Sequence, residues 1–243
     1  MKAVRWSLIL LCGAMLVVAP NVRRSQANGG TVDLALVLAV DTSRSVNDEE
    51  YQLQRGGLAY AIRHPEVVAA IKSGRLKKIA VTVVQWTDFQ AQVVIVPWTT
   101  ISDARSAERF SRRIETMTRF YGGHGTHISG VISFGTWLLG ETPFVAARKV
   151  IDISGDGRDN VTNAHGESRD AAVAAGITIN GLAIENEDKD LRHYYRAFVI
   201  GGPGAFVLRT QRYEDFGAAM QKKLVREISP KFLTLTPKPY DAG

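Results

Sequence analysis

Residues Val32 to Ser45 read VDLALVLAVDTSRS. The part from Val32 to Val40 is almost continuously apolar and shows no helical spacing. Such a run, bounded by polar residues, is expected of a strand buried on both faces of a parallel sheet. It ends on a D-x-S-x-S sequence, Asp41, Ser43 and Ser45. Side chains two apart share a direction in extended backbone, so these three oxygens face one point while Thr42 and Arg44 face elsewhere. Carboxylate and hydroxyl donors, without Cys or clustered His, suit a hard divalent cation such as Mg²⁺; Mn²⁺ or Ca²⁺ would use the same oxygens.

Further apolar runs follow at Ile79–Trp86, Val93–Trp98, Val150–Ser154, Ile177–Ile184 and Ala205–Leu208. The gap between the second and third strands, 87–92, is too short for a helical crossover, which predicts an antiparallel hairpin. The other gaps hold helices. Asn47 and Glu50 make a capping box, and the helix they open should stop near His64-Pro65. Ala107, Phe110, Ile114 and Met117 recur at helical spacing, as do Ile128, Val131, Ile132, Leu138 and Leu139. Tyr213, Phe216, Met220 and Leu224 mark a last amphipathic helix whose stripe faces the core. Gly176 stands where a helix should end before a strand. Strand and helix alternate, so the expected architecture is α/β: a doubly wound, mostly parallel sheet with one antiparallel edge strand and helices on both faces.

Ligands of such sheets collect outside the carboxyl ends of the strands. Asp41 follows the first strand there, and Asp156, in Asp156-Gly157, follows the fourth. Thr126 opens a helix after Gly122, Gly123 and Gly125, whose freedom permits a close loop. The expected ion site is therefore Asp41, Ser43, Ser45, Thr126 and Asp156. Ordinary turn and cap roles are the structural alternative for Ser43 and Ser45, and an ordinary turn for Asp156-Gly157.

The DTSRS run after a strand, the Gly-Gly…Gly-Thr-x-Ile loop and the ISGDG run after another strand together resemble the von Willebrand factor A domain and its metal-ion-dependent adhesion site. More narrowly, they resemble a bacterial secreted family of such domains. The resemblance covers roughly Val32 to Ser229. It implies direct metal binding by Ser43, Ser45 and Thr126, with Asp41 and Asp156 acting mainly through water. It also implies that a carboxylate of a protein or peptide ligand completes the metal shell. The family's usual Thr before the Asp-Gly pair is replaced here by Gly155.

A hydrolase is the competing class. His124-Gly125-Thr126-His127 resembles the histidine segment of subtilisin-like proteases, and Asp41-Thr42 loosely resembles their aspartate segment. A Ser-His-Asp mechanism also needs a nucleophile in context, and neither Phe134-Gly135-Thr136-Trp137 nor Ser154-Gly155-Asp156 supplies it. His124 and His127 could share zinc with His165 or His193, but no H-E-x-x-H arrangement supports that. Asp152 lies inside a buried strand and requires partners. Asp159-Asn160 either extends the acidic rim or makes a turn. Trp86, Trp98 and Trp137 read as packing residues. Arg105, Arg109, Arg112, Arg113 and Arg119 read as a solvated face, since acids interrupt them.

The chain has 243 residues and a formal charge of +6. Lys2 and Arg5 precede an apolar stretch, Ser7 to Ala19, and Ser25-Gln26-Ala27 offers a cleavage site, so 1–27 reads as a signal peptide; a retained anchor is the alternative. That segment carries four cations, Lys2, Arg5, Arg23 and Arg24, and no acid, so most of the excess charge belongs to it. No basic stripe for nucleic acid remains. The one Cys, Cys12, lies in the same segment. Residues 28–229 should form one domain and 230–243 an extended tail, Pro-rich and without periodicity. The expectation is a periplasmic or secreted binding module, not an enzyme, with no membrane span after cleavage.

Overall fold

A computed structural model describes residues 29–162 and 165–229. The expected signal peptide and tail lie outside the described residues. Six strands form one sheet: β1 (Thr31–Asp41), β2 (Ile79–Trp86), β3 (Gln92–Ile101), β4 (Val145–Gly155), β5 (Ile177–Ile184) and β6 (Val207–Thr210). Their order is β3-β2-β1-β4-β5-β6, with β2–β3 antiparallel and every other pair parallel. The fold class expected from the alternation is the one observed.

Alternate residues of β1 supply the two cores. Leu34, Leu36, Leu38 and Val40 pack under α1 (Asp48–Arg63), α2 (Pro65–Lys72), α3 (Ala104–Glu115) and α7 (Phe216–Ile228). Ala35, Val37 and Ala39 pack under α4 (Ile128–Gly140), α5 (His165–Ala174) and α6 (Leu191–Tyr194). All these β1 side chains are buried, which is why the strand carries no polar alternation. α6 runs into a wide π-helical turn, Tyr195–Val199.

Local chemistry explains the boundaries. Asn47 and Glu50 form the expected reciprocal capping box at α1. His64 ends α1 and also caps α2, accepting from Glu66 N, while Pro65 occupies the first turn, where its missing N–H is harmless. The expected stop at His64-Pro65 is thus a junction between two helices. Gly176 ends the α5 segment at φ 76°. β3 runs past the expected Val93–Trp98 at both ends and carries Pro97; register shifts in its pairing with β2, and its edge position, let the proline sit where no ladder donor is needed. β4 starts at Val145, five residues earlier than its apolar run, because Thr31 to Ala35 offer it a partner. β6 lies at 207–210 and not 205–208, aligned by its pairing with Gly181 to Ile184.

Two expectations differ from the structure, Trp137 as a packing residue and Arg119 as part of a solvated face. Trp137 is 57% exposed on α4, whereas Trp86 is fully buried. Arg119 lies beyond α3, and its side chain is only 9% exposed. Its guanidinium donates to the carbonyls of Ser43 and Val46 and pairs with Asp48 at 2.8 Å, so it clamps the loop after β1.

Candidate functional site

The order 3-2-1-4-5-6 reverses direction between β1 and β4, which makes their carboxyl ends the switch point of the sheet. The register pairs Val40 with Ser154, so Asp41 and Gly155 emerge side by side. Asp41 is fully buried, and its Oδ1 accepts from Ser43 N at 2.7 Å. The Ser43 and Ser45 hydroxyls lie 3.1 Å apart. Ser45 Oγ donates to Asp156 Oδ1 at 2.6 Å. Hydrogen bonds through the Ser43 amide and the two serine hydroxyls thus link two carboxylates from distant parts of the chain. Thr126 is buried beside them: a Cβ placed on Gly157 would stand 3.4 Å from Thr126 Oγ1. The structure therefore brings Asp41, Ser43, Ser45 and Asp156 into one cluster and sets Thr126 against the Asp156-Gly157 turn.

The surrounding scaffold is more polar than the sequence pattern suggests. Gln54, buried on α1, donates to the Asp41 carbonyl. Asn160 exchanges two hydrogen bonds with the Thr126 backbone, at 2.8 and 3.0 Å. Asp159 accepts from Ser129 N and Oγ and from the N–H groups of Val161 and Thr162, and these bonds hold its pKa low against the cost of burial. Asp159-Asn160 is therefore a tether for the Thr126 loop. Asp88 follows β2 and accepts from the N–H groups of Phe89, His124 and Gly125; these backbone donors lower its pKa. Gly123, at φ 153°, lies against it, where a Cβ would meet Asp88 at 2.5 Å. Asp88 ends a strand on the same rim as Asp41, so the rule that selects Asp41 and Asp156 also points to it. Tyr213 is the residue that no pattern reveals. It reads as the start of a core stripe, yet its hydroxyl donates to Asp156 Oδ2 at 2.8 Å from a short 3₁₀ turn before α7.

The electrostatics favour a cation. Burial first, and repulsion from Asp156 second, push the Asp41 pKa up to about 8. Asp41 Oδ2 is buried and has no hydrogen-bond donor. Two acids, two serine hydroxyls, a threonine hydroxyl and an unpartnered carboxylate oxygen fit a hard divalent ion. His127 stacks on Phe89 at 5.5 Å and is buried, and His193 is exposed beside Asp190. Among the described residues, no three His, Cys, Asp or Glu side chains gather as a metal-holding group, so the rim offers two carboxylates together with hydroxyls.

Beside the rim lies a cavity of about 460 Å³, lined by Thr42, Arg44, Arg119, Tyr121, Gly123 and His124. The Arg119 guanidinium stands 4.9 Å from the Tyr121 ring centre.

No curated protein matches the chain. Solved structures do. Proximal thread matrix protein 1 from the mussel byssus, with a zinc-occupied MIDAS motif, is 18% identical with a TM-score of 0.57, over 80% of this chain and 48% of that one. A von Willebrand factor type A protein from Catenulispora acidiphila is 16% identical with a TM-score of 0.55, over 81% and 43%. The vWF domain of the type V pili tip protein Mfa5 from Porphyromonas gingivalis is 13% identical with a TM-score of 0.56, over 82% and 95%. The chain thus spans about half of the mussel protein and nearly all of the Mfa5 domain. At these identities the likeness establishes the fold, which is that of the von Willebrand factor A domain. Residues 31–232 match the model of the family described as "Protein of unknown function (DUF1194)", and the chain belongs to that von Willebrand factor A-like family.

Proposed function

We propose that this chain is a recognition module that holds one divalent cation, Mg²⁺ in the first instance, at the Asp41–Asp156 rim. A carboxylate from a protein or peptide partner completes the coordination. The observation that carries this reading is the pairing of two buried carboxylates, one oxygen of which has no donor, at the switch point of the sheet. Ser43, Ser45 and Thr126 would hold the ion with their hydroxyls, and Asp41 and Asp156 would supply the neutralising charge. When bound, the ion offers positive charge and a coordination position open to an anion. The zinc-occupied MIDAS of the mussel protein supports a divalent ion in this fold. Arg44 and His124, lining the adjacent cavity, support an acidic partner.

The module acts by binding and not by hydrolysis. Ser43 and Ser45 bond to each other and to Asp156, not to an imidazole that would activate them. A secreted or periplasmic location accords with the pilus proteins that share the fold. No helix among the described residues is long and apolar enough to cross a membrane.

Titrating Mg²⁺ while following thermal unfolding tests the ion. At 100-fold excess over Kd the stabilisation is about 2.7 kcal/mol, which raises Tm by roughly 5–10 °C for a domain of this size. A wild type indifferent to Mg²⁺, Mn²⁺ and Ca²⁺ would end the reading. Capture of an envelope protein that chelator abolishes supports the partner, and capture indifferent to chelator moves the partner surface elsewhere. Cleavage of a general peptide substrate, lost in His124→Ala, would replace the binding module with a hydrolase.

A further inference from the structure

Tyr195 opens the π-helical turn after α6 and is fully buried, yet its hydroxyl has no hydrogen-bond partner. A buried hydroxyl without a partner is costly, and π turns recur at functional sites. The position of this hydroxyl is defined by what Gly155 lacks. A Cβ on Gly155 would lie 2.9 Å from Tyr195 Oη and 2.8 Å from Asp41 Oδ2. The two unpartnered oxygens therefore share one small space, and any side chain at 155 would fill it. Gly181 makes room for the same ring: a Cβ there would stand 2.6 Å from Tyr195 Cδ1. Gly155 and Gly181 come from adjacent strands, β4 and β5, so the sheet itself forms the slot for this tyrosine.

The geometry points to Tyr195 as a positioning residue for the ion site: its hydroxyl is the donor for Asp41 Oδ2 in the ion-loaded protein. This inference rests on the rim being a cation site. Tyr213 already donates to Asp156 Oδ2. With Tyr195 on Asp41, each rim carboxylate has one tyrosine donor, one from between β5 and β6 and one from just after β6. A tyrosine hydroxyl orients a carboxylate and favours its ionised form without neutralising it. The acids thus stay available to a cation. A side chain that holds a liganding carboxylate in place typically changes metal affinity by 10–100-fold when removed.

Calorimetric titration of Mg²⁺ into the full chain, paired with thermal unfolding in chelator, tests this role. Tyr195→Phe should weaken Mg²⁺ binding by about tenfold. In chelator the same variant should melt at or above the wild-type temperature, because it removes a hydroxyl that has no partner there. A merely structural tyrosine would lose stability in chelator and leave the affinity alone. Gly155→Ala should also weaken Mg²⁺ binding, and the double variant should lose less than the sum of the two losses, since both act on one space. Wild-type affinity in Tyr195→Phe overturns the inference while leaving the ion site intact. A wild type that binds no Mg²⁺ overturns both.

Discussion

Two regions of this molecule bury a pair of carboxylates, and they differ in where the neutralising charge comes from. Under α7, Asp152 and Glu227 are 1% and 2% exposed, and Lys223 is fully buried between them. Its ammonium stands 2.6 Å from Asp152 Oδ1 and 3.4 Å from Glu227 Oε1. Asn180 donates to Glu227 Oε1 as well. At the rim, Asp41 and Asp156 have hydroxyls and a backbone amide for company, and no lysine or arginine among the described residues forms an ion pair with them. Isolated buried charges are expensive, so a buried acid pair keeps a cation nearby or takes up protons. The pair under the helix carries its cation in the chain. The rim pair lies at the switch point of the sheet, where the proposed function has an outside cation take that part. On the proposed function, the two regions use the same chemistry with one component moved from the chain to the solvent.

That contrast breaks most visibly at Lys223. Lys223→Met leaves Asp152 and Glu227 without their cation and should cost about 3–5 kcal/mol, read by urea unfolding. The loss should be equal with and without Mg²⁺, because the ion acts elsewhere. A loss that Mg²⁺ repairs would mean that the two regions are not independent.

Asp41→Asn probes the other side. It should abolish the Mg²⁺-dependent rise in Tm, while in chelator it should raise Tm by about 2–4 °C, as relief of about 1 kcal/mol would do. Removing an acid therefore stabilises the rim in chelator, whereas removing the cation destabilises the region under α7. A fall in the chelator Tm of Asp41→Asn would show that the Asp41 charge is already compensated.

The remaining effect is a pH slope. The Asp41 pKa rises from 3.8 to about 8 on folding, through burial and then Asp156. The folded protein then holds a proton that the unfolded chain releases, so metal-free stability declines as pH rises through that window. Differential scanning calorimetry in chelator should give a Tm that falls steadily as pH rises from about 5 to about 8. Saturating Mg²⁺ should flatten the decline, and Asp41→Asn should remove it. A wild-type slope of opposite sign would place the proton elsewhere.

Much of this was legible in the chain. Val32–Val40 is apolar on both faces because β1 is covered by helices on both sides, and that alone selects a parallel sheet. The hairpin follows from the short gap after Trp86. Asp41, Ser43, Ser45 and Asp156 were legible because a doubly wound sheet delivers its strand ends to one rim, whatever their separation in sequence. Thr126 was read as opening a helix; α4 begins two residues later, at Ile128, and the Asn160 bonds that hold Thr126 in the preceding loop were not legible.

What only the tertiary structure decided lies in buried polar contacts between segments far apart in the chain. Lys223 meets Asp152 from 71 positions away in the chain, and Tyr213 meets Asp156 from 57 positions away. Asp152 could be read as needing a partner, yet nothing local names it. Tyr213 reads as an apolar ring residue, since a ring satisfies a core stripe whichever way its hydroxyl points. Periodicity records which side chains leave water. It does not record where a single polar atom on a buried ring will arrive, because that is set by the packing of whole elements.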